Sequence, residues 1–249
     1  MADTIVKYLN RHEVTSTNSY AKELLSSGID LPNFTVITAE YQSSGRGQQG
    51  NSWESECGQN LLFSIVCHPV MVKATEQFVL SQAVALAVQQ ALSEYVDGVT
   101  VKWPNDIYYN DRKLCGILIE CNLVGSMVSD CIIGVGINVN QQKFVSNAPN
   151  PVSLAQIMGF TLRRELILQK VVERFMELYV SIEHGETSLI TETYMQCLYR
   201  RKGFHHYMEP NGDRFEAEIL QVLPTGHLVL QLRDGETRQY ELKEIRFVI

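Results

Sequence analysis

Residues 99–138 read VTVKWPNDIYYNDRKLCGILIECNLVGSMVSDCIIGVGIN, and their patterning decides the fold. Val99–Trp103 has the composition of a short strand. Asp106–Tyr109 and Lys113–Glu120 are two further apolar runs joined through Asn110-Asp111-Arg112, which predicts a hairpin. Asp130–Asn138 (DCIIGVGIN) is another strand, and the short link before it makes it antiparallel to its predecessor.

Working outward, Asn60–Cys67 (NLLFSIVC) is a near-continuous apolar strand of the kind found in a covered sheet, and Phe34–Glu40 is another. Between them lies the polar, glycine-rich stretch Gln42–Ser52, ended by Trp53. Thr17–Ser27 reads as a helix capped by Thr15, Ser16 or Thr17 and stopped by Gly28. In Thr75–Val96, Phe78, Val79, Ala83, Leu86, Ala87, Ala91 and Leu92 recur at steps of three and four, which predicts a long helix. Pro149 and Pro151 mark a loop, and Arg163–His184 and Glu186–Tyr199 are further helical patterns. From about Arg201 short strands alternate with the turn signals Asn211-Gly212, Pro224-Thr225-Gly226 and Asp234-Gly235. The expected class is α+β: a mixed, mostly antiparallel sheet flanked by helices over 1–200, then a small β-barrel over 201–249.

The bulk composition excludes several functions. The 21 Lys+Arg against 28 Asp+Glu give a net charge of −7, unsuited to general nucleic-acid binding. With 45% hydrophobic and 20% charged residues the chain can bury a core. The polar start Met1–Arg11 is unlike a signal peptide, and no run approaches the length of a membrane span. Six cysteines without a C-x-x-C pair point to reduced thiols and a cytoplasmic protein.

Four segments could carry chemistry. In Gly45-Arg46-Gly47-Gln48-Gln49-Gly50, backbone N–H groups could converge on an anion beside the Arg46 fork, or the stretch is a plain flexible loop; it is neither a P-loop nor a Rossmann pattern. Lys102-Trp103-Pro104-Asn105-Asp106 with Lys113 gathers a lysine, an amide and a carboxylate near a second lysine suited to a phosphate or carboxylate, or forms a solvated turn. Gly134-Val135-Gly136-Ile137-Asn138 leaves a bare strand face, either for a flat ring or for a closely packed helix. Ser16-Thr17-Asn18 could surround a polar head group or simply cap a helix. His205-His206 and the isolated histidines have no ligand spacing and read as surface residues.

The order of these segments resembles the biotin–protein ligase family, strongly over about residues 14–145. It runs Ser16-Thr17-Asn18, Ala39-Glu40-Tyr41-Gln42-x-x-Gly45-Arg46-Gly47, Gly50, Trp53, Lys102-Trp103-Pro104-Asn105-Asp106, Arg112-Lys113-Leu114-x-Gly116-Ile117-Leu118-x-Glu120 and Gly134-x-Gly136-Ile137-Asn138. The resemblance implies a class II synthetase-like catalytic domain with an SH3-like C-terminal barrel. It implies activation of biotin by ATP, with Mg²⁺, to biotinyl-AMP and transfer to a lysine of a biotin carboxyl carrier protein. Ser16, Thr17, Asn18, Gln42, Gly47 and Gln48 would meet biotin, with Gly116, Gly134 and Gly136 lining its ring slot. Arg46 and Lys113 would grip its carboxylate and the α-phosphate, and Asp106 would assist. Trp53, Lys102, Asn105 and Asn138 would lie with Arg46 on the ATP side.

The family often has arginine where this chain has Gln48, and Gln49 replaces another common basic position, so fixed positive charge is lost beside the phosphate. The catalytic segment begins almost at once, an expectation of the monofunctional type without an N-terminal winged helix. No DNA, no membrane, and a monomer or weak homodimer complete the expectation. A lipoate or octanoate ligase would need a longer apolar slot and lacks the Lys102–Asp106 block; a non-catalytic biotin sensor would be consistent with Gln48.

Overall fold

The computed structural model describes residues 6–145 and 150–249. Pro149 and the side chain of Gln49 lie outside the described residues.

The main sheet contains β1 (Lys7–Val14), β2 (Thr35–Gln42), β3 (Leu61–Cys67), β4 (Val99–Lys102), β5 (Asp106–Tyr109), β6 (Arg112–Val124) and β7 (Met127–Ile137). Their order is β1-β2-β3-β7-β6-β5-β4. Among the described strands of this sheet only the β1–β2 pair is parallel, so the mixed, mostly antiparallel expectation holds. The strand β1 was not anticipated. It is a largely exposed edge strand, and its sequence KYLNRHEV carries no apolar alternation.

Strand alternation sorts the central strands into two faces. Phe63 and Ile65 of β3, Ile133, Val135 and Ile137 of β7, and Cys115 and Ile117 of β6 enter the main core. That core is covered by α2 (Phe78–Ser93), against which α4 (Arg164–Glu183) and α5 (Ser188–Gln196) pack. The helix α2 starts three residues later than its apolar pattern suggests, because Ala74–Glu76 is a 3₁₀ turn. A short α3 (Leu154–Met158), also unanticipated, is held by a capping box between Ser153 and Gln156. On the opposite face, α1 (Thr17–Ser26) covers only one end of the sheet, where Ala21 meets Ile37, Val66 and Ile132. The rest of that face is left for something else.

The C-terminal strands β8 (His205–Met208), β9 (Arg214–Val222), β10 (Leu228–Leu232), β11 (Thr237–Tyr240) and β12 (Arg246–Phe247) form a separate antiparallel sheet, order β11-β10-β9-β8-β12. Its predicted turns carry glycines at positive φ: Gly212 at 95°, Gly226 at 93° and Gly235 at 90°. The two sheets are tied where Trp103 Nε1–H donates to the Gly226 carbonyl at 2.9 Å. No helix among the described residues is long and apolar enough to cross a membrane.

Six tyrosines sit in buried positions that disfavour ionisation. Burial pushes the phenols of Tyr108, Tyr179, Tyr194 and Tyr207 up from their usual range, and those of Tyr199 and Tyr240 up to about 12. A folded-state pKa above the unfolded value of about 10 gives stability that is present below pH 10 and lost as pH rises further. The expected loss is on the order of 1 kcal/mol per tyrosine at pH 11. Urea midpoints should therefore fall steeply between pH 10 and 11, with the phenolate absorbance of these six of the eleven tyrosines appearing only as the chain unfolds. Full phenolate absorbance in a still-folded protein would contradict this.

Candidate functional site

The uncovered end of the sheet forms the floor of a cavity of about 720 Å³. The start of α1, the loop between β2 and β3, the Lys102–Asp106 turn and residues from Leu242 to Ile249 supply its walls.

The floor exists because of what its glycines lack. Cross-strand register places Ser64 opposite Gly134 and Leu62 opposite Gly136 on one side of β7, and Leu118 opposite Gly134 and Gly116 opposite Gly136 on the other. A Cβ on Gly134 would lie 2.3 Å from Asn18 Oδ1; one on Gly136 would lie 2.4 Å from Trp53 Cε2; one on Gly116 would lie 2.9 Å from Trp53 Cζ3. Gly134 is therefore bare because the first turn of α1 packs on it, which is the close-packing reading of that strand. Gly116 and Gly136 are bare beneath the flat face of an indole. That indole is the protein's own, and its buried Nε1–H finds no partner among the described residues.

The first turn of α1 is polar and almost wholly buried: Ser16, Thr17 and Asn18 are each 4% exposed or less. Ser16 is the N-cap, accepting from Ser19 N–H. Gln42 Oε1 accepts from Thr17 N–H at 2.8 Å and from its hydroxyl at 3.1 Å. Asn18 Nδ2 donates to Glu120 at 2.9 Å, and Ser64 Oγ donates to Asn18 Oδ1 at 2.7 Å.

The glycine-rich loop folds back on itself. Trp53 N–H donates to Gly45 O at 2.9 Å, and Gly47 N–H to Asn51 O at 2.6 Å. A Cβ on Gly45 would meet Trp53 O at 2.4 Å, so the turn requires glycine. Beyond Trp53 the chain is anchored by fully buried Asn60 and Gln141, whose side chains bond each other at 2.6 Å; Gln141 also accepts from Glu56 N–H at 3.0 Å.

The charge of the wall is opposite to that of the chain. Arg46, Lys102, Lys113, Lys243 and Arg246 line the cavity, against Asp106 as the one acidic side chain among the described lining residues. Lys113 Nζ pairs with Asp106 at 2.7 Å and lies 5.8 Å from the Trp53 ring. Lys102 Nζ sits between the rings of Tyr108 and Phe247, 5.1 and 5.0 Å from their centroids. Its burial draws its pKa down, opposed by nearby Asp106. Arg46 forks onto Glu120 at 3.0 and 3.2 Å. The Lys113 stem lies against Gly116, and four residues of β6, about 13 Å, separate Gly116 from Glu120. Arg46 and Lys113 thus face one cavity but are each held by a separate carboxylate, toward opposite ends of it.

Of the residues singled out in the sequence, Ser16, Thr17, Asn18, Gln42, Arg46, Gly47, Gln48, Trp53, Lys102, Asn105, Asp106, Lys113, Gly116, Gly134 and Gly136 all line this cavity. Asn138 does not. It is buried beneath the wall, donating to the Lys113 carbonyl and bracing α3 through its own carbonyl to Leu154 N–H. Trp53, expected on the nucleotide side, covers the glycine floor. The contribution of Lys243, Arg246 and Phe247 was not foreseen: they lie in an ordinary-looking β tail, and only tertiary packing brings them to the cavity.

Comparison with known proteins gives a consistent picture. A family model described as the Biotin/lipoate A/B protein ligase family matches residues 10–138. The bifunctional ligase/repressor BirA of Bacillus subtilis is 30% identical over 246 residues, 94% of this chain and 72% of its own length. A biotin–[acetyl-CoA-carboxylase] ligase of Mycobacterium tuberculosis is 32% identical over 130 residues, 51% of this chain and 47% of its own. A structure of a biotin protein ligase from Aquifex aeolicus, in complex with biotin and ATP, shares the fold with a TM-score of 0.80 at 23% identity, covering 98% of this chain and all of that one.

Gly136→Ala should dislodge the indole from the floor, since the new methyl would stand inside van der Waals distance of the ring. Tryptophan emission should move to longer wavelength while Trp103, 4% exposed, stays buried. Unchanged emission in a folded Gly136→Ala protein would contradict the placement of Trp53.

Proposed function

The chain belongs to the Biotin/lipoate A/B protein ligase family, and we propose that within it the protein is a biotin–protein ligase. It activates biotin with ATP to biotinyl-5′-AMP and transfers the biotinyl group to a lysine of a biotin carboxyl carrier protein. The observation that carries this reading, beside the likeness to named biotin ligases, is a cation-rich cavity over a glycine floor in a chain of net charge −7. Such a site attracts anions that the rest of the surface repels.

The chemistry follows from the substrates. A carboxylate is a poor acyl donor because oxide is a poor leaving group. Attack of a biotin carboxylate oxygen on the α-phosphorus of ATP forms a P–O bond, breaks the bond to pyrophosphate and leaves a mixed anhydride. The amine of the carrier lysine then attacks the acyl carbon and AMP departs. No covalent enzyme intermediate is needed. The protein holds two anions together and neutralises their charge. That is the role of Arg46 and Lys113, with Asp106 fixing the Lys113 ammonium until phosphate competes for it. Mg²⁺ enters with ATP as part of the substrate, and Asp106 is the cavity carboxylate suited to touch it.

Thr17, Gln42 and neighbouring Ser16 and Asn18 form the polar end for the biotin head group, with Gly47 and Gln48 closing above it. The ring and tail lie on Gly116 and Gly136. A ligand layer there requires the Trp53 indole to rise by roughly 3.5–4 Å, the thickness of one carbon contact, after which it can cover the adenylate. Lys102 and Asn105 belong to the nucleotide end. Lys243 and Arg246 supply positive charge there from the C-terminal side, which is consistent with the loss of arginine at Gln48. The division at residue 200 into catalytic and small β domains is part of the same reading, the small domain serving as one wall. A monomer or weak homodimer that does not engage DNA accords with the acidic charge. The cytoplasm, where ATP and reduced thiols coexist, accords with six unpaired cysteines.

Incubation with ATP, Mg²⁺, biotin and a biotin-carrier domain should yield carrier heavier by one biotinyl group, and lipoate should not substitute. Failure of biotin with success of lipoate would overturn the reading. Lys113→Ala should lower biotin-dependent ATP–pyrophosphate exchange about 100-fold or more while the protein stays folded; undiminished exchange would remove Lys113 from its role. Gln48→Arg should slow release of the adenylate about tenfold, as measured by dissociation of labelled biotinyl-AMP. Equal or faster release would contradict the account of the missing charge.

A further inference from the structure

Glu120 is not on the cavity wall, yet it holds two residues that are. Its carboxylate accepts from Asn18 Nδ2 at 2.9 Å and takes the Arg46 fork at 3.0 and 3.2 Å. Asn18 is 2% exposed, and its hydrogen-bonding capacity is nearly filled by protein. One amide N–H goes to Glu120, the other to the Leu118 carbonyl at 3.2 Å, and the amide oxygen accepts from Ser64, itself fully buried. The result is a continuous line of polar contacts, Ser64–Asn18–Glu120–Arg46, running across three strands and the first turn of α1.

This line fixes which way Asn18 faces. Turned over, its oxygen would confront a carboxylate and a carbonyl, both acceptors, and its NH₂ would be pressed against Gly134. In the observed orientation, Oδ1 retains one lone pair after the Ser64 bond. Leu118 O alone is a neutral acceptor at 3.2 Å, whereas the Glu120 bond is charge-assisted and shorter. Glu120 is therefore the group that makes the orientation decisive. The same carboxylate fixes the guanidinium of Arg46, a side chain 44% exposed and otherwise free to sample many rotamers.

We infer that Glu120 is a positioning residue for the ligase reaction: it sets the Asn18 amide so that its oxygen is offered to an N–H donor of the head group. The inference rests on the biotin reading above. Glu120 touches neither substrate, so its loss acts through binding geometry rather than through the bond-making step. The Arg46–Glu120 pair itself adds little to the fold's stability, because it is substantially solvated.

The test is biotin-dependent ATP–pyrophosphate exchange in wild-type, Glu120→Ala and Glu120→Gln proteins, with melting temperature measured for each. Glu120→Ala should raise KM for biotin about tenfold, the worth of one oriented hydrogen bond, with kcat within threefold and melting temperature within a few degrees. Glu120→Gln keeps an acceptor for Asn18 and should recover most of the KM. Three results overturn the inference: KM unchanged in Glu120→Ala, equal losses in the two variants, or a loss accompanied by collapse of the melting temperature in both. Wild-type protein separates the two levels of the argument. Exchange with biotin in the wild type together with an indifferent Glu120→Ala removes the role of Glu120 alone; absence of exchange in the wild type takes down the biotin reading and this inference with it.

Discussion

The two-residue alternation of β3, β6 and β7 is the constraint on which the site depends. One set of residues, Phe63, Ile65, Ile117, Ile133 and Val135 among them, is committed to the core under α2. The alternate set is then free to be small or polar: Ser64, Gly116, Glu120, Gly134 and Gly136. A one-residue slip of β7 would put isoleucine and valine on the floor and bury glycines against α2, ending both core and cavity at once. Stability and function are therefore coupled through register rather than through any shared side chain.

Electrostatics is arranged on that scaffold by separation. Three cations of the wall are restrained: Arg46 by Glu120, Lys113 by Asp106, Lys102 by two aromatic rings. Restraint keeps several positive side chains oriented toward one volume despite their mutual repulsion. The Trp53 indole lies over the apolar floor, against Gly116 and Gly136.

Much of this was legible in the sequence, for reasons that differ by residue. The strands and hairpins of the central sheet could be read because their apolar runs and turn residues are strong local signals. The cavity-lining residues could be gathered only through their order along the chain, since each segment taken singly fits a cap, a loop or a packed strand equally well. Gly134 shows why: its missing side chain serves packing against Asn18, a contact 116 residues away in the chain, which no local pattern encodes. The edge strand β1 was hidden by its polarity, and Asn138 was misleading because an asparagine that braces α3 looks the same in sequence as one that meets a ligand. Lys243, Arg246 and Phe247 were invisible, as their place beside the cavity depends on how the second sheet docks through Trp103 and Gly226.

The central claim is that Arg46 and Lys113, now held apart along one cavity, act on a single acyl phosphate laid across the glycine floor. The most direct measurement is a crystal structure with a non-hydrolysable analogue of biotinyl-AMP. The account predicts the linkage between the two cations, the ring portion at the Asn18 end, and the Trp53 indole lifted from Gly116 and Gly136. An analogue bound elsewhere, with the indole still seated on those glycines and neither cation within reach of the linkage, would contradict it.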